Sequence, residues 1–92
     1  MRHARADALD RLEPLLARLR GIAGLREKTR GVFYRGSKAF LHFHEDGDAL
    51  FADVRFGEAF ERCEVTSKAA QAELVARITA AAAARPRGRR AV

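Results

Sequence analysis

The sequence predicts an α+β fold of the α-β-β-β-α type: a two-layer domain with two helices packed on one face of an antiparallel meander. The meander has three strands, with room for a short fourth. Three observations predict this fold. Leucines at helical spacing open the chain, the hydrophobic period changes to two from Leu25 onward, and an alanine-rich helical segment closes it. The 92 residues suffice for one such domain with a single modest core.

The first helix is predicted from a leucine stripe over residues 7–20, formed by Leu9, Leu12, Leu16 and Leu19. Pro14 opposes one continuous helix, because a proline in a helix interior costs about 3 kcal/mol. A start near Asp10 lessens this conflict. Asp10 and Glu13 would then form a capping pair, and Pro14 would fall close to the first turn. Whether helical turns precede Pro14 stays open.

The meander is predicted from alternating residues that form strands over residues 27–35, 38–45 and 48–56. Gly36-Ser37 is a two-residue hairpin signal, and a turn at Asp46-Gly47 joins the next pair of strands. This turn gives an apolar face with the cross-strand pairs Phe43–Leu50, Leu41–Ala52 and Ala39–Val54. The Gly36-Ser37 turn adds Val32 and Tyr34 to the same face. A three-residue loop would mix the faces, so we expect the even register.

The C-terminal part is predicted to hold a short fourth strand around residues 60–65 and then a helix. Thr66 or Ser67 can cap this helix, which is rich in strong helix formers. Its buried stripe is predicted to be Leu74, Val75, Ile78 and Ala81. The Arg85-Pro86 pair ends it.

The positive charge is concentrated at the C-terminus. Without Arg85, Arg87, Arg89 and Arg90 the net charge falls from +6 to +2. We therefore expect one domain over residues 1–84, with residues 1–6 frayed, and a disordered arginine-rich tail over 85–92. The tail is interpreted as a solubilising end, because no basic folded surface supports it. Weak nucleic-acid binding through the tail and the sheet aromatics is the alternative.

Cys63 is the single cysteine and cannot form an internal disulfide, which favours a reducing cytoplasm. It lies between two glutamates, which raise the pKa of a thiol, so a structural role is expected. No apolar segment is long enough for a membrane helix, and the N-terminus lacks the apolar core of a secretory signal.

The sheet face opposite the helices is the predicted working surface. It carries seven candidate binding residues: Phe33, Phe40, His42, His44, Phe51, Asp53 and Arg55. Three phenylalanines are too many for a face that meets only water. We interpret the surface as a binding or interaction module, with a protein partner or a second copy of the chain as its expected partner.

A metal site is one alternative reading of this face. His42 and His44 project from the same side of one strand, but the expected register places Asp53 only diagonally from His42. No third strong ligand is fixed by spacing, since His3 falls in the expected frayed end. No metal ligand is therefore assigned.

A small hydrolase is the other alternative, with Asp53 orienting His42 as a general base. The sequence contains no glycine-rich phosphate loop, G-x-S-x-G, H-E-x-x-H or CxxC motif. No catalytic residue and no cofactor are therefore predicted, and enzymatic activity stays open without being indicated.

The segment "GSKAFLHFHEDGDALFADVRF" resembles a "GREIAHFH…DVRL" segment of small, mostly uncharacterised bacterial proteins known as luciferase-domain-like. The matching positions are Lys38, Phe40, His42, Phe43, His44, Asp53, Val54 and Arg55. Phe56 stands where those proteins usually have an aliphatic residue. The stretch "LREKTRGVFYRGSKAF" after a leucine helix is also similar to the start of YjbR-like α/β domains, suspected nucleic-acid binders. Neither resemblance implies catalytic residues.

Overall fold

The computed structural model describes residues 1–84 and confirms an α+β fold. It contains three helices and an antiparallel sheet of six strands, two more than the upper number expected. In chain order the elements are β1 (Arg2–His3), α1 (Ala6–Arg11), α2 (Glu13–Arg20), β2 (Leu25–Thr29), β3 (Val32–Arg35), β4 (Lys38–Asp46), β5 (Ala49–Val54), β6 (Glu61–Glu64) and α3 (Lys68–Ala83). The strand order is β2-β3-β4-β5-β6, and β1 pairs with β4.

The leucine segment forms two helices separated at Leu12, not one. Pro14 lies in the first turn of α2, where its missing N–H leaves no helical hydrogen bond unmade. The expected Asp10–Glu13 cap is not formed. Both carboxylates instead accept hydrogen bonds from Arg30, at 2.9 and 2.8 Å.

The expected single strand over residues 27–35 is wrong, because the chain turns back at Arg30-Gly31 and makes the β2–β3 hairpin. Gly31 adopts a φ of 82°, which an L residue rarely adopts. Its N–H donates to Glu27 Oε2 at 2.9 Å. The glycine conformation and this side-chain acceptor together stabilise the tight reversal.

The β4–β5 hairpin has the expected faces but not the expected pairs. Its loop is Gly47-Asp48, one residue later than predicted, and Gly47 has a φ of 61°. The register is consequently shifted by two residues, to Leu41–Val54, Phe43–Ala52 and Glu45–Leu50. A shift by two leaves the side chains of β5 and of β4 from Leu41 onward on their predicted faces.

A β-bulge at Phe40 changes the β3–β4 pairing. Tyr34 pairs with Ala39, whereas the preceding residue Phe33 pairs with Leu41, so Phe40 is the extra residue of β4. Phe33 is fully buried and Phe40 is 3% exposed, and both belong to the hydrophobic core. Their expected position on the sheet face opposite the helices is therefore wrong.

The N-terminal residues, expected to be frayed, are part of the sheet. Arg2 pairs with Glu45 and His3 with His44, while the Ala4 N–H donates to the Phe43 carbonyl at 3.0 Å. Glu45 contributes further, because its carboxylate accepts from the backbone N–H of Arg5 at 2.8 Å. The strand β1 pairs with the last residues of β4, beyond the part of β4 that pairs with β3.

One hydrophobic core lies between the helices and a single face of the sheet. The helix leucines share it with the inward-facing strand residues Leu41, Phe43, Leu50, Ala52 and Val54. Ser67 caps α3 as expected, accepting from the Ala70 N–H at 3.0 Å. The helix buries Leu74, Val75 and Ile78, and Ala81 is only partly buried. The Arg85-Pro86 stop and the arginine tail lie outside the described residues.

None of the described helices combines the length and apolar character needed to cross a membrane.

Candidate metal centre

The sheet face opposite the helices, here called the open face, carries His42 and His44 on β4 and Asp53 on β5. The alternation of β4 places these imidazoles there because Leu41 and Phe43 point into the core. The shifted register then pairs His42 directly with Asp53, where the sequence indicated only a diagonal neighbour. The shift thus brings the carboxylate within reach of both imidazoles.

Both imidazoles contact the same carboxylate oxygen. His42 Nε2 lies 3.4 Å and His44 Nε2 lies 3.3 Å from Asp53 Oδ2. The ligand atoms of the three residues lie within 4.8 Å of one another. The side chains of His44 and Asp53 are 14% and 11% exposed, and that of His42 is 26% exposed. The three groups form a compact, largely covered donor set.

Arg62 on β6 fixes the carboxylate from the other side. It pairs with Asp53 across β5–β6 and donates from Nε to Oδ1 at 2.7 Å and from Nη2 to Oδ2 at 2.8 Å. This bidentate contact holds the pKa of Asp53 below its usual value, against the opposing effect of burial. The sequence analysis missed Arg62, because it predicted a strand at residues 60–65 without a register.

His3 is the second residue that the sequence analysis missed. Its ring centroid lies 4.5 Å from that of His44 and 5.8 Å from that of His42. Pairing of β1 with β4 places it there, although no sequence pattern marks a strand of two residues. His3, His42, His44 and Asp53 are hereafter called the histidine cluster.

The electrostatics of the site favour a neutral His42 imidazole and an ionised Asp53 carboxylate. Burial lowers the pKa of His42, and this effect outweighs the attraction of the Asp53 charge. The ring of Phe60 packs 5.2 Å from that of His42 and contributes to covering it. Neutral imidazole and carboxylate are the forms of these residues that bind transition metals.

One buried nitrogen of the histidine cluster has no hydrogen-bond partner among the described residues. Nδ1 of His44 is buried and makes no hydrogen bond to any described residue. Buried polar atoms are nearly always paired, so this nitrogen marks an incompletely satisfied site.

The remaining predicted site residues are not members of the histidine cluster. Phe51 is half-buried on the open face, opposite His44 and Glu64. Arg55 follows the end of β5, and its guanidinium lies 4.7 Å from the centroid of the Phe60 ring. Of the seven predicted residues, the structure therefore brings together three, His42, His44 and Asp53.

Cys63 lies on the other side of the sheet, partly buried against the core. Burial raises the pKa of its thiol, and the Glu61 carboxylate acts in the same direction. A raised pKa keeps the thiol protonated and unreactive, consistent with the expected structural role.

No protein-family model matches this chain, and no similar protein was found among curated proteins or solved structures. The resemblance to luciferase-domain-like proteins and to YjbR-like domains therefore stays a prediction.

Proposed function

We propose that the protein binds a divalent transition-metal ion, of which zinc is the model case, through His42, His44 and Asp53. The observation that carries this proposal is the pair of distances from Asp53 Oδ2 to the two imidazole nitrogens, 3.4 and 3.3 Å. Zinc bonds of about 2.0–2.1 Å in a tetrahedron place neighbouring ligand atoms about 3.4 Å apart. Two edges of a tetrahedral site are thus already at the required length.

The carboxylate can serve both Arg62 and a metal. Each carboxylate oxygen has two lone pairs, and Arg62 uses one on each oxygen. Oδ2 keeps a second lone pair, and it is the oxygen that both imidazoles approach. Arg62 then acts as the outer partner that orients a metal-binding carboxylate.

His3 is the candidate for a fourth ligand, because its ring lies beside that of His44. Four ligands close a structural zinc site, whereas three leave a position for water or substrate. The proximity of the His3 ring to that of His44 favours four ligands, and metal binding would then also hold β1 against β4. The proposal concerns binding and assigns no reaction to the site.

The test is a zinc titration of the protein, followed by NMR of the imidazole resonances and by calorimetry. We expect saturation at one equivalent with shifts of His42 and His44. His42→Ala and His44→Ala should weaken binding more than about 100-fold, beyond the roughly 10–100-fold typical of an outer partner. His3→Ala distinguishes a site of four ligands from a site of three, because it weakens zinc binding only if His3 is a ligand.

Asp53→Asn should also weaken binding, and Asp48→Asn in the exposed β4–β5 loop is its matched control. An equal loss in the two variants would show that overall charge, not a site, attracts the metal. The absence of saturable zinc binding by the unmodified protein would overturn the proposal.

A protein-contact surface on the open face is the second candidate. Phe60 is 39% exposed beside the histidine cluster, and Phe51 is half-buried nearby. With Phe33 and Phe40 in the core, the exposed aromatic area is smaller than the sequence indicated. A second copy of the chain bound there would dissociate in Phe51→Asp, as measured by sedimentation. The nucleic-acid alternative depends on the arginine tail, outside the described residues, and stays a prediction.

A further inference from the structure

A second concave site lies beside the first residues of β4. It is a cavity of about 720 Å³ between the end of β5 and the last turn of α3. Three cationic side chains, Arg35, Lys38 and Arg55, line it together with Phe40 and Phe56, and the other lining residues are glycine and alanines. No acidic residue and no member of the histidine cluster lines this cavity.

The three cations are not neutralised by the protein in the part of the chain that the structure describes. Arg20, Arg30, Arg62 and Arg77 each form ion pairs with carboxylates there. Arg35, Lys38 and Arg55 form none within residues 1–84. Because the net charge of those residues is only +2, this cavity is a local concentration of unpaired positive charge.

Arg55 carries a hydrogen-bond donor without an acceptor. Its Nε is buried and makes no hydrogen bond to any described residue. A buried donor left unpaired is costly, and a small shift of the Arg55 side chain, which lines the cavity, would let a bound anion supply the missing acceptor. Arg35, by contrast, is partly engaged, since its Nη2 donates to the Ala81 carbonyl at 3.2 Å.

The phenylalanines give the cavity an apolar wall. Phe40 and Phe56 meet edge to face with ring centroids 6.3 Å apart, and the Arg35 guanidinium lies 5.9 Å from the Phe40 centroid. Ligand pockets typically enclose about 300–1,000 Å³ and combine apolar walls with a few convergent polar groups. The volume and lining of this cavity match that description.

We propose that this cavity binds a small organic anion. Its phosphate or carboxylate group contacts Arg35, Lys38 and Arg55, and its apolar part lies against Phe40 and Phe56. This site is independent of the histidine cluster, and either proposal can fail without the other.

The test is an NMR titration of the full chain with phenyl phosphate, benzoate and inorganic phosphate. We expect saturable shifts centred on Lys38, Arg55 and Phe56, with phenyl phosphate or benzoate bound more tightly than inorganic phosphate. Lys38→Gln and Arg55→Gln should each weaken binding about tenfold, because each removes a charged hydrogen bond. Lys68→Gln, which removes an equal charge at the start of α3, is the matched control for Lys38→Gln.

Three outcomes would overturn the proposal. Shifts confined to residues 85–92 would show that the arginine tail binds the anions. An equal loss in Lys68→Gln would show a general charge effect. No saturation with any of the three anions would exclude the site. Lys38 is exposed, so its variant keeps the test valid even if Arg55→Gln fails to fold.

Discussion

His42 and Asp53 occupy directly opposite positions on β4 and β5, and His42 Nε2 lies 3.4 Å from Asp53 Oδ2. His44 Nε2 reaches the same oxygen, and Arg62 holds the carboxylate from the neighbouring strand. Three adjacent strands therefore converge on one carboxylate. Because Arg62 stabilises its charged form and the imidazoles approach its free lone pair, Asp53 is the central group of the open face.

The first prediction concerns the pKa of Asp53. Arg62→Gln removes the largest cause of its lowering, so we expect the pKa of Asp53 to rise. Arg62→Lys keeps the positive charge but not the bidentate guanidinium contact. The pKa of Asp53 should then lie between those of the unmodified protein and of Arg62→Gln. The measurement is the ¹³C shift of the Asp53 carboxyl group as a function of pH. An unchanged pKa in Arg62→Gln would show that the ion pair is not formed in solution.

The faces of β5 and of β4 from Leu41 onward were predictable from the sequence, but their register was not. Period-two alternation fixes which side of β4 carries Leu41 and which carries His42. A slip by two residues preserves that alternation, so the pattern cannot separate a turn at Asp46-Gly47 from the actual one at Gly47-Asp48. Only the second brings Asp53 opposite His42. The alternation therefore predicts that His42, His44 and Asp53 share a face, but not that His42 and Asp53 pair directly.

The missed features depend on tertiary contacts that leave no local pattern. The bulge at Phe40 buries two phenylalanines that strict alternation assigns to the open face. The strand β1 contains two residues. The two residues that follow it, Ala4 and Arg5, donate to the Phe43 carbonyl and the Glu45 carboxylate, which lie 39 and 40 residues away in sequence. Periodicity could not have found His3, since a strand this short shows no period.

The second prediction tests whether β1 holds His3 beside the histidines of β4. Ala4→Pro removes the N–H that donates to the Phe43 carbonyl, at a cost of about 1 kcal/mol, so we expect β1 to detach. The measurement is the NOE between the rings of His3 and His44, which should disappear.

Ala6→Pro is the matched control, because Ala6 is the first residue of α1, where proline is tolerated, and Arg5 is already extended. The NOE should persist in this variant. Its persistence in Ala4→Pro as well would show that β1 does not depend on this hydrogen bond.

The third prediction concerns Gly31 in the β2–β3 turn. A Cβ at this position would lie 2.7 Å from Leu9 Cδ2, in a backbone conformation with a φ of 82°. Gly31→Ala should therefore lower the free energy of unfolding by more than the roughly 1–2 kcal/mol of the left-handed conformation alone. Chemical denaturation measures this difference.

Gly47→Ala separates the two contributions. Gly47 also has a positive φ, of 61°, but nothing lies within 4 Å of a Cβ built there. Gly47→Ala should therefore lower the free energy of unfolding only by the cost of the left-handed conformation. An equal decrease in the free energy of unfolding in the two variants would show that the Leu9 side chain moves aside at no energetic cost.

The fourth prediction concerns the pH dependence of stability through the ion pair of Arg20 and Glu27. Arg20 donates from Nε and Nη2 to the two oxygens of Glu27, and this contact is the main cause of the lowered pKa of that carboxyl group. A lowered folded-state pKa contributes stability above the unfolded pKa of about 4.3, and the contribution is lost as the pH falls through the folded value. Arg20→Gln should therefore be less stable than the unmodified protein at pH 7, and the difference should shrink below about pH 4.5.

The measurement is the midpoint of urea unfolding for both proteins between pH 7 and pH 3. Arg26→Gln, on β2 and without an ion pair among the described residues, is the control for the loss of one positive charge. Because Arg20 also donates to Glu13 at 2.7 Å, Glu13→Gln, which removes the Arg30 contact as well, sets an upper limit on the share of that second carboxylate. A stability difference that stays constant down to pH 3 would mean that Arg20 stabilises the fold through packing of its side chain and not through Glu27.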